Sequence, residues 1–187
     1  MPPLDPPMTS AAATRRRLLF AGIAVAATLG GAALAWRKLR LAEVSATAEA
    51  ALWTQAFDTP GSGGRLEMRS FAGRPLLLNF WATWCPPCIA ELPLLDAFYR
   101  THRSAGWQVL GLAIDQAASV RNFLQRQPVA FPIGLASQGG IELARTLGNT
   151  AGGLPFTVVF DASGKVRHRK IGQASPADLQ QWAASIG

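Results

Sequence analysis

Cysteine and histidine are scarce in this chain of 187 residues: two cysteines, Cys85 and Cys88, and two histidines, His102 and His168. Two thiols cannot build a multi-bridge disulfide framework. A structural zinc site needs about four ligands, and the histidines stand far from the cysteines and from each other. Ile89 follows the second cysteine where a c-type haem attachment needs histidine. No metal and no cofactor are therefore expected. Acidic residues are also short, 11 against 18 Lys and Arg, for a formal net charge of +7. That excess is unevenly placed. Residues 1–47 carry a balance of +4 and the other 140 only +3. No basic stripe interleaved with aromatics runs through the second part, so nucleic acid is not an expected partner. No internal repeat is present.

What the chain does have begins with an N-terminal targeting pattern. Residues 1–17 are Pro/Ala-rich and end in Arg15, Arg16 and Arg17, a disordered basic N-terminus. Residues 18–36, opening at Leu18 and closing at Trp36, hold no charge. As a helix they would span about 28 Å, close to the hydrocarbon core of a bilayer. Arg37, Lys38 and Arg40 flank the other end, so positive charge does not orient the segment. An uncleaved membrane anchor is the favoured reading. A cleaved signal is the alternative, since Ala33-Leu34-Ala35 fits a small-x-small site and "TRRRLLF" resembles a twin-arginine export signal. Residues 37–52 read as a linker, with partial helix expected in the stretch 41–53, and 53–187 as one domain.

Within that domain, residues 51–57 and 65–71 are candidate strands around a Gly-rich turn. Residues 75–81 form a continuous apolar run, as a buried strand does, and 107–115 and 131–136 give two more. Residues 155–161 and 165–172 flank "ASG", a hairpin signal. Helices are expected over 87–104 (interrupted at Pro93), 119–127 capped by Ser119, 139–148 stopped by Gly148, and 175–186 capped by Ser175 with Pro176 at its first position. The alternation indicates an α/β fold with a mixed central sheet flanked by helices.

The two cysteines fall where a buried strand ends and a helix begins. A disulfide over so short a loop would constrain the unfolded chain little, so dithiol chemistry is the reading that remains. A thiol at a helix start meets free N–H groups and the positive end of the dipole, which favour thiolate at Cys85. Cys88, one turn in, should be more buried. Pro86 and Pro87 remove two backbone donors that would otherwise serve that thiolate, so the effect should be moderate.

"FWATWCPPC" resembles the active-site motif of the thioredoxin superfamily, and "CIAELP" is similar to the membrane-anchored TlpA-like/ResA-like thiol-disulfide oxidoreductases. The resemblance covers residues 53–187 and implies a thioredoxin-like fold. It implies that Pro155 in "GGLPFTVVFD" is a cis-proline facing the cysteines, with Leu154 offering backbone hydrogen bonds to a substrate peptide. Trp84 and Pro86 join these as substrate-binding residues. Thioredoxin itself has a buried Asp where this chain has Asn79. An amide is no base near neutral pH, and the resemblance implies Glu91 as the group that helps deprotonate Cys88, making Cys85, Cys88 and Glu91 the catalytic set. The implied partners are disulfide-containing exported proteins and a membrane-embedded thiol reductant, at the periplasmic face of a bacterial inner membrane or, after signal cleavage, free in the periplasm. Cytochrome c maturation is the commonest task of such proteins. Two other functions are open: a thiol peroxidase, for which Thr83 stands two residues before Cys85 but the rest of the pattern is missing, and a copper-binding chaperone using both thiols.

Overall fold

The computed structural model describes Trp36, Thr47 and residues 49–61 and 63–186. The expected N-terminus 1–17, the apolar segment apart from Trp36, and most of the linker lie outside the described residues. Among the described residues no helix is long and apolar enough to cross a membrane.

The strands are β1 (Ala56–Asp58), β2 (Arg65–Glu67), β3 (Leu76–Trp81), β4 (Gln108–Ala113), β5 (Ile133–Leu135), β6 (Phe156–Phe160) and β7 (Val166–Ile171). They form one sheet in the order β2-β1-β5-β4-β3-β6-β7. The pairs β3–β4 and β4–β5 are parallel; β1–β2, β1–β5, β3–β6 and β6–β7 are antiparallel. The helices are α1 (Pro86–His102), α2 (Ala117–Arg126), α3 (Gly140–Thr146) and α4 (Pro176–Ile186).

Every residue of β3, β4 and β6 is buried, whereas β7 alternates half-buried with exposed positions. The difference follows from coverage: central strands have packed layers on both faces, and an edge strand has one. Because strand side chains alternate, each central strand feeds two cores. Leu77, Trp81, Val109 and Val159 face Cys88, Leu92 and Leu95 of α1, Val120 and Phe123 of α2, and Leu179 and Trp182 of α4. Leu76, Leu78, Phe80, Leu110 and Phe156 face Leu52, Met68, Phe71 and Ala144 of α3 on the other side. The first core carries the cysteines.

Four expectations need correction. Residues 51–57 are not one strand: 49–52 are helical, Leu52 is fully buried, and only Ala56–Asp58 pairs. Glu49 accepts a hydrogen bond from the Val166 N–H at 3.3 Å and one from Arg169 at 3.0 Å, so the domain's contacts reach back into the supposed linker. The second strand stops at Glu67, because Met68–Phe71 turns as a 3-10 helix to bury Met68 and Phe71. Ser119 is not a cap; α2 starts two residues earlier, with Gln116 at its N-cap. Pro93 does not interrupt α1, which runs on through it to His102.

Gly111 shows how tight the cysteine-bearing core is. A Cβ there would sit 2.6 Å from Ile133 Cδ1, 3.1 Å from Trp81 Nε1 and 3.2 Å from Phe131 Cε2. The isoleucine tip can rotate away, but the two rings are held between sheet and helices. Gly111→Ala is expected to destabilise the fold by about 1–3 kcal/mol through overpacking. Urea unfolding checks it, and an unchanged midpoint would refute the packing argument.

Candidate active site

The end of β3 aims the redox pair. Ile114 N–H donates to Trp81 C=O at 2.8 Å, prolonging the β3–β4 pairing, and Cys85 N–H donates to Ala82 C=O at 3.3 Å in the turn that follows. Between them Thr83 is clamped by Asp115. Its N–H and Oγ1 both donate to Asp115 Oδ2, at 3.0 and 2.5 Å, while Asp115 Oδ1 accepts from Gln116 N–H at 2.7 Å. The sequence reading passed over Asp115. The available signal was a carboxylate at the end of one apolar run and a threonine at the end of another, which become neighbours once the two strands pair in parallel.

Cys85 is the N-cap of α1, and Pro86 and Pro87 fill the first two helical positions. Neither proline has an N–H to offer. The first donor in the helix is therefore Cys88 N–H, which points at Cys85 Sγ from 3.3 Å. A side chain at the N-cap accepting from the third helical N–H is ordinary capping, here with sulfur as acceptor. One directed N–H and the helix dipole stabilise negative charge on that sulfur. Cys85 and Cys88 are joined as a disulfide, with Cα atoms 5.3 Å apart. Cys85 keeps 5% exposure and Cys88 none, in the order expected. Trp84, beside them, is 65% exposed, an unusual state for a tryptophan and an open contact surface at the pair.

Glu91, one turn beyond Cys88, has no exposed surface. Its Oε1 accepts from Asn79 Nδ2 at 2.7 Å and its Oε2 from Ala174 N–H at 2.7 Å. Asn79 Nδ2 also donates to Thr157 Oγ1 at 3.1 Å, while Asn79 Oδ1 is buried without a partner. Asn79 pairs with Thr157 across the β3–β6 ladder, which is why the two meet. Ala174 is held by the start of α4: Asp178 accepts from Ser175 N–H at 2.7 Å and donates its own N–H to Ser175 Oγ at 3.2 Å. Lys170 donates to the same Asp178 carboxylate at 2.5 Å and, with Ser175, holds it down to about 2. Burial pushes the Glu91 carboxyl up from its ordinary value; the Ala174 N–H, the Asn79 amide and the charge of Lys170 oppose that. Glu91 is thus no solvated helix residue. Its two hydrogen bonds use about half of what a carboxylate can accept.

The Leu154–Pro155 peptide bond is cis, as the resemblance implies. Leu154 is half-buried and packs against the core cluster containing Cys85 and Cys88. Pro155 is buried, and its C=O accepts from Gly172 N–H at 2.8 Å. Among the described residues the backbone of Leu154 makes no such bond.

With a disulfide at the first turn of a helix, behind a buried strand, and a cis-proline elsewhere in the domain, the chain is similar to known proteins. The family model described as Redoxin matches residues 46–185. The chain belongs to the Redoxin family. The thiol-disulfide oxidoreductase ResA of Bacillus thuringiensis subsp. konkukian is 30% identical over 125 residues, 66% of this chain and 70% of that protein. A thiol:disulfide interchange protein of the thioredoxin family from Chlorobium tepidum superposes with a TM-score of 0.62 at 30% identity, over 71% of this chain and 92% of its own. StoA from Bacillus subtilis does so with a TM-score of 0.56 at 26% identity, over 71% and 98%. The fold is thioredoxin-like, and this Redoxin chain is a thiol-disulfide oxidoreductase.

Proposed function

We propose that the protein is an extracytoplasmic reductase of disulfides in exported proteins, acting on partners such as apocytochromes during cytochrome c maturation. The observation that carries the reading is the asymmetry of the pair: Cys85 keeps 5% exposure and is served by an N–H, whereas Cys88 keeps none. In the reduced enzyme the Cys85 thiolate attacks one sulfur of the partner disulfide. A mixed disulfide forms and the other partner sulfur leaves as thiolate. Cys88, having given up its proton, then attacks Cys85; the partner's second thiolate leaves and the Cys85–Cys88 disulfide closes. Two electrons pass from enzyme to partner. Leu154 supplies backbone hydrogen bonds to the partner strand, Pro155 fixes that backbone, and Trp84 and Pro86 give it contact area. A membrane-embedded thiol reductant returns the two electrons.

The direction of flow is tested by the reduction potential of the Cys85–Cys88 couple. A reductase is expected near roughly −270 mV, and a value near roughly −120 mV would make the protein an oxidant instead. Location is tested separately. A reporter active only after export, fused to the C-terminus, should be active, and a silent fusion would overturn the extracytoplasmic reading. The anchored form retains residues 18–36 and holds the domain at the periplasmic face of the inner membrane; a mature protein starting at Trp36 would refute it. The peroxidase alternative draws no support from Thr83, whose hydroxyl is committed to Asp115.

A further inference from the structure

A cavity of about 510 Å³ opens between α2 and the residues that flank the two cysteines in sequence. Thr83, two residues before Cys85, and Ile89, next after Cys88, form one wall. The other wall is α2, which presents Ser119, Asn122, Phe123 and Arg126, with Gln127 at the edge. The spacing 119, 122, 123, 126 is one face of a helix. Phe123 is 7% exposed and belongs to the same apolar cluster as both cysteines. The lining carries two hydroxyls, two amides and one guanidinium. Among the described residues Arg126 is the only charge lining it, and its side chain makes no hydrogen bond or ion pair with any of them. Asp115, the carboxylate tied to the Thr83 wall, is already occupied by the two donors of Thr83 and by Gln116 N–H.

We infer that this cavity is a side-chain subsite for the partner protein, that it takes an acidic residue flanking the partner's cystine, and that Arg126 sets this preference. The inference rests on the oxidoreductase reading and adds the class of segment that the site receives. Methylenes of a Glu side chain lie over Ile89 and Phe123. The carboxylate meets an uncommitted guanidinium, which binds carboxylates in a fork geometry. A lysine at the same place would face the Arg126 guanidinium, the charge that lines the cavity.

Three disulfide peptides, identical except for Glu, Gln or Lys beside one cysteine, test it against the reduced full-length protein. The reading is the Glu-to-Lys ratio of second-order rate constants within each protein. Wild type should favour Glu by about fivefold at low salt, the size of a partly exposed charge pair, and less at high salt. Arg126→Gln should bring the ratio close to one, and Arg126→Glu should invert it. An unchanged ratio in Arg126→Glu would overturn the subsite. If wild type oxidises with none of the three peptides, the dithiol reading fails, and the subsite is then judged by binding alone. Ser-for-Cys versions of the same peptides, titrated into wild type and Arg126→Glu, should still show tighter Glu-peptide binding to wild type. Equal affinities would overturn the subsite on that measurement too.

Discussion

Reduced Cys88→Ala protein, mixed with a pool of disulfide-containing exported proteins, is expected to end as covalent mixed disulfides, and Cys85→Ala protein as none. The cause is geometric. A partner disulfide approaches from solvent, and of the two sulfurs only that of Cys85 belongs to a residue with any exposure. The Cys85 sulfur is also the one that accepts Cys88 N–H, a backbone donor unaffected by replacing the Cys88 side chain. Cys88→Ala therefore keeps the attacking thiolate and loses only the group that resolves the adduct. Alanine in a fully buried site leaves a small void, so a modest loss of stability should accompany the change. Cys85→Ala leaves a lone thiol inside the core, out of a partner's reach, and turnover should drop to that of buffer alone. Non-reducing gel shifts followed by identification of the trapped partners read both results, and would also say whether apocytochromes are among them. If Cys85→Ala traps partners and Cys88→Ala does not, the two roles are exchanged.

The parts of this site that were legible in the sequence are those carried by contiguous residues. The apolar run of β3, the cysteines and the prolines after them follow one another, so the strand end, the helix start and the order of burial could be read directly. The long buried strands β4 and β6 were legible for the same reason. Short elements were not. Leu52 and Phe57 are both apolar and both buried, yet one lies in a helical turn and the other in a three-residue strand. Period alone does not separate them over so few positions. The network around Glu91 was half legible. That Glu91 lies on the helix of Cys88 follows from spacing, but Asn79, Thr157 and Ala174 come from two strands and a loop, and only the sheet register brings them to one carboxylate. Arg126 carried no signal in sequence, because an arginine in the last turn of a helix is ordinary; its interest arises from the cavity that α2 and α1 enclose.

Glu91→Gln is expected to slow resolution of the mixed disulfide by about 10²-fold at neutral pH, the low end of general-base assistance, and to leave the first attack by Cys85 nearly unchanged. Glu91 is the carboxylate one turn from Cys88 on the same helix, it is fully buried, and burial raises its affinity for a proton. A base of that kind can take the proton from a buried thiol, whereas an amide cannot. The fold should survive the change for a reason visible around Asn79. At present Asn79 Nδ2 faces Glu91 and Asn79 Oδ1 has no partner. Rotating that amide by half a turn presents an acceptor to the glutamine N–H₂, leaving the glutamine oxygen for Ala174 N–H. The same rotation would let Asn79 follow Glu91 from carboxylate to acid in the wild-type cycle. Stability should respond to pH with a definite sign. Glu91 holds its proton more tightly folded than unfolded, so its contribution is greatest below the unfolded value of about 4.5 and falls as pH rises through the raised folded value. The stability of Glu91→Gln relative to wild type should therefore climb across that interval. Stopped-flow rates for attack and resolution across pH, with urea midpoints at the same pH values, read both effects. Equal resolution rates in the two proteins at every pH would remove Glu91 from the chemistry, even if the stability profile behaved as described, and would leave it a buried acid that orders Asn79 and the start of α4.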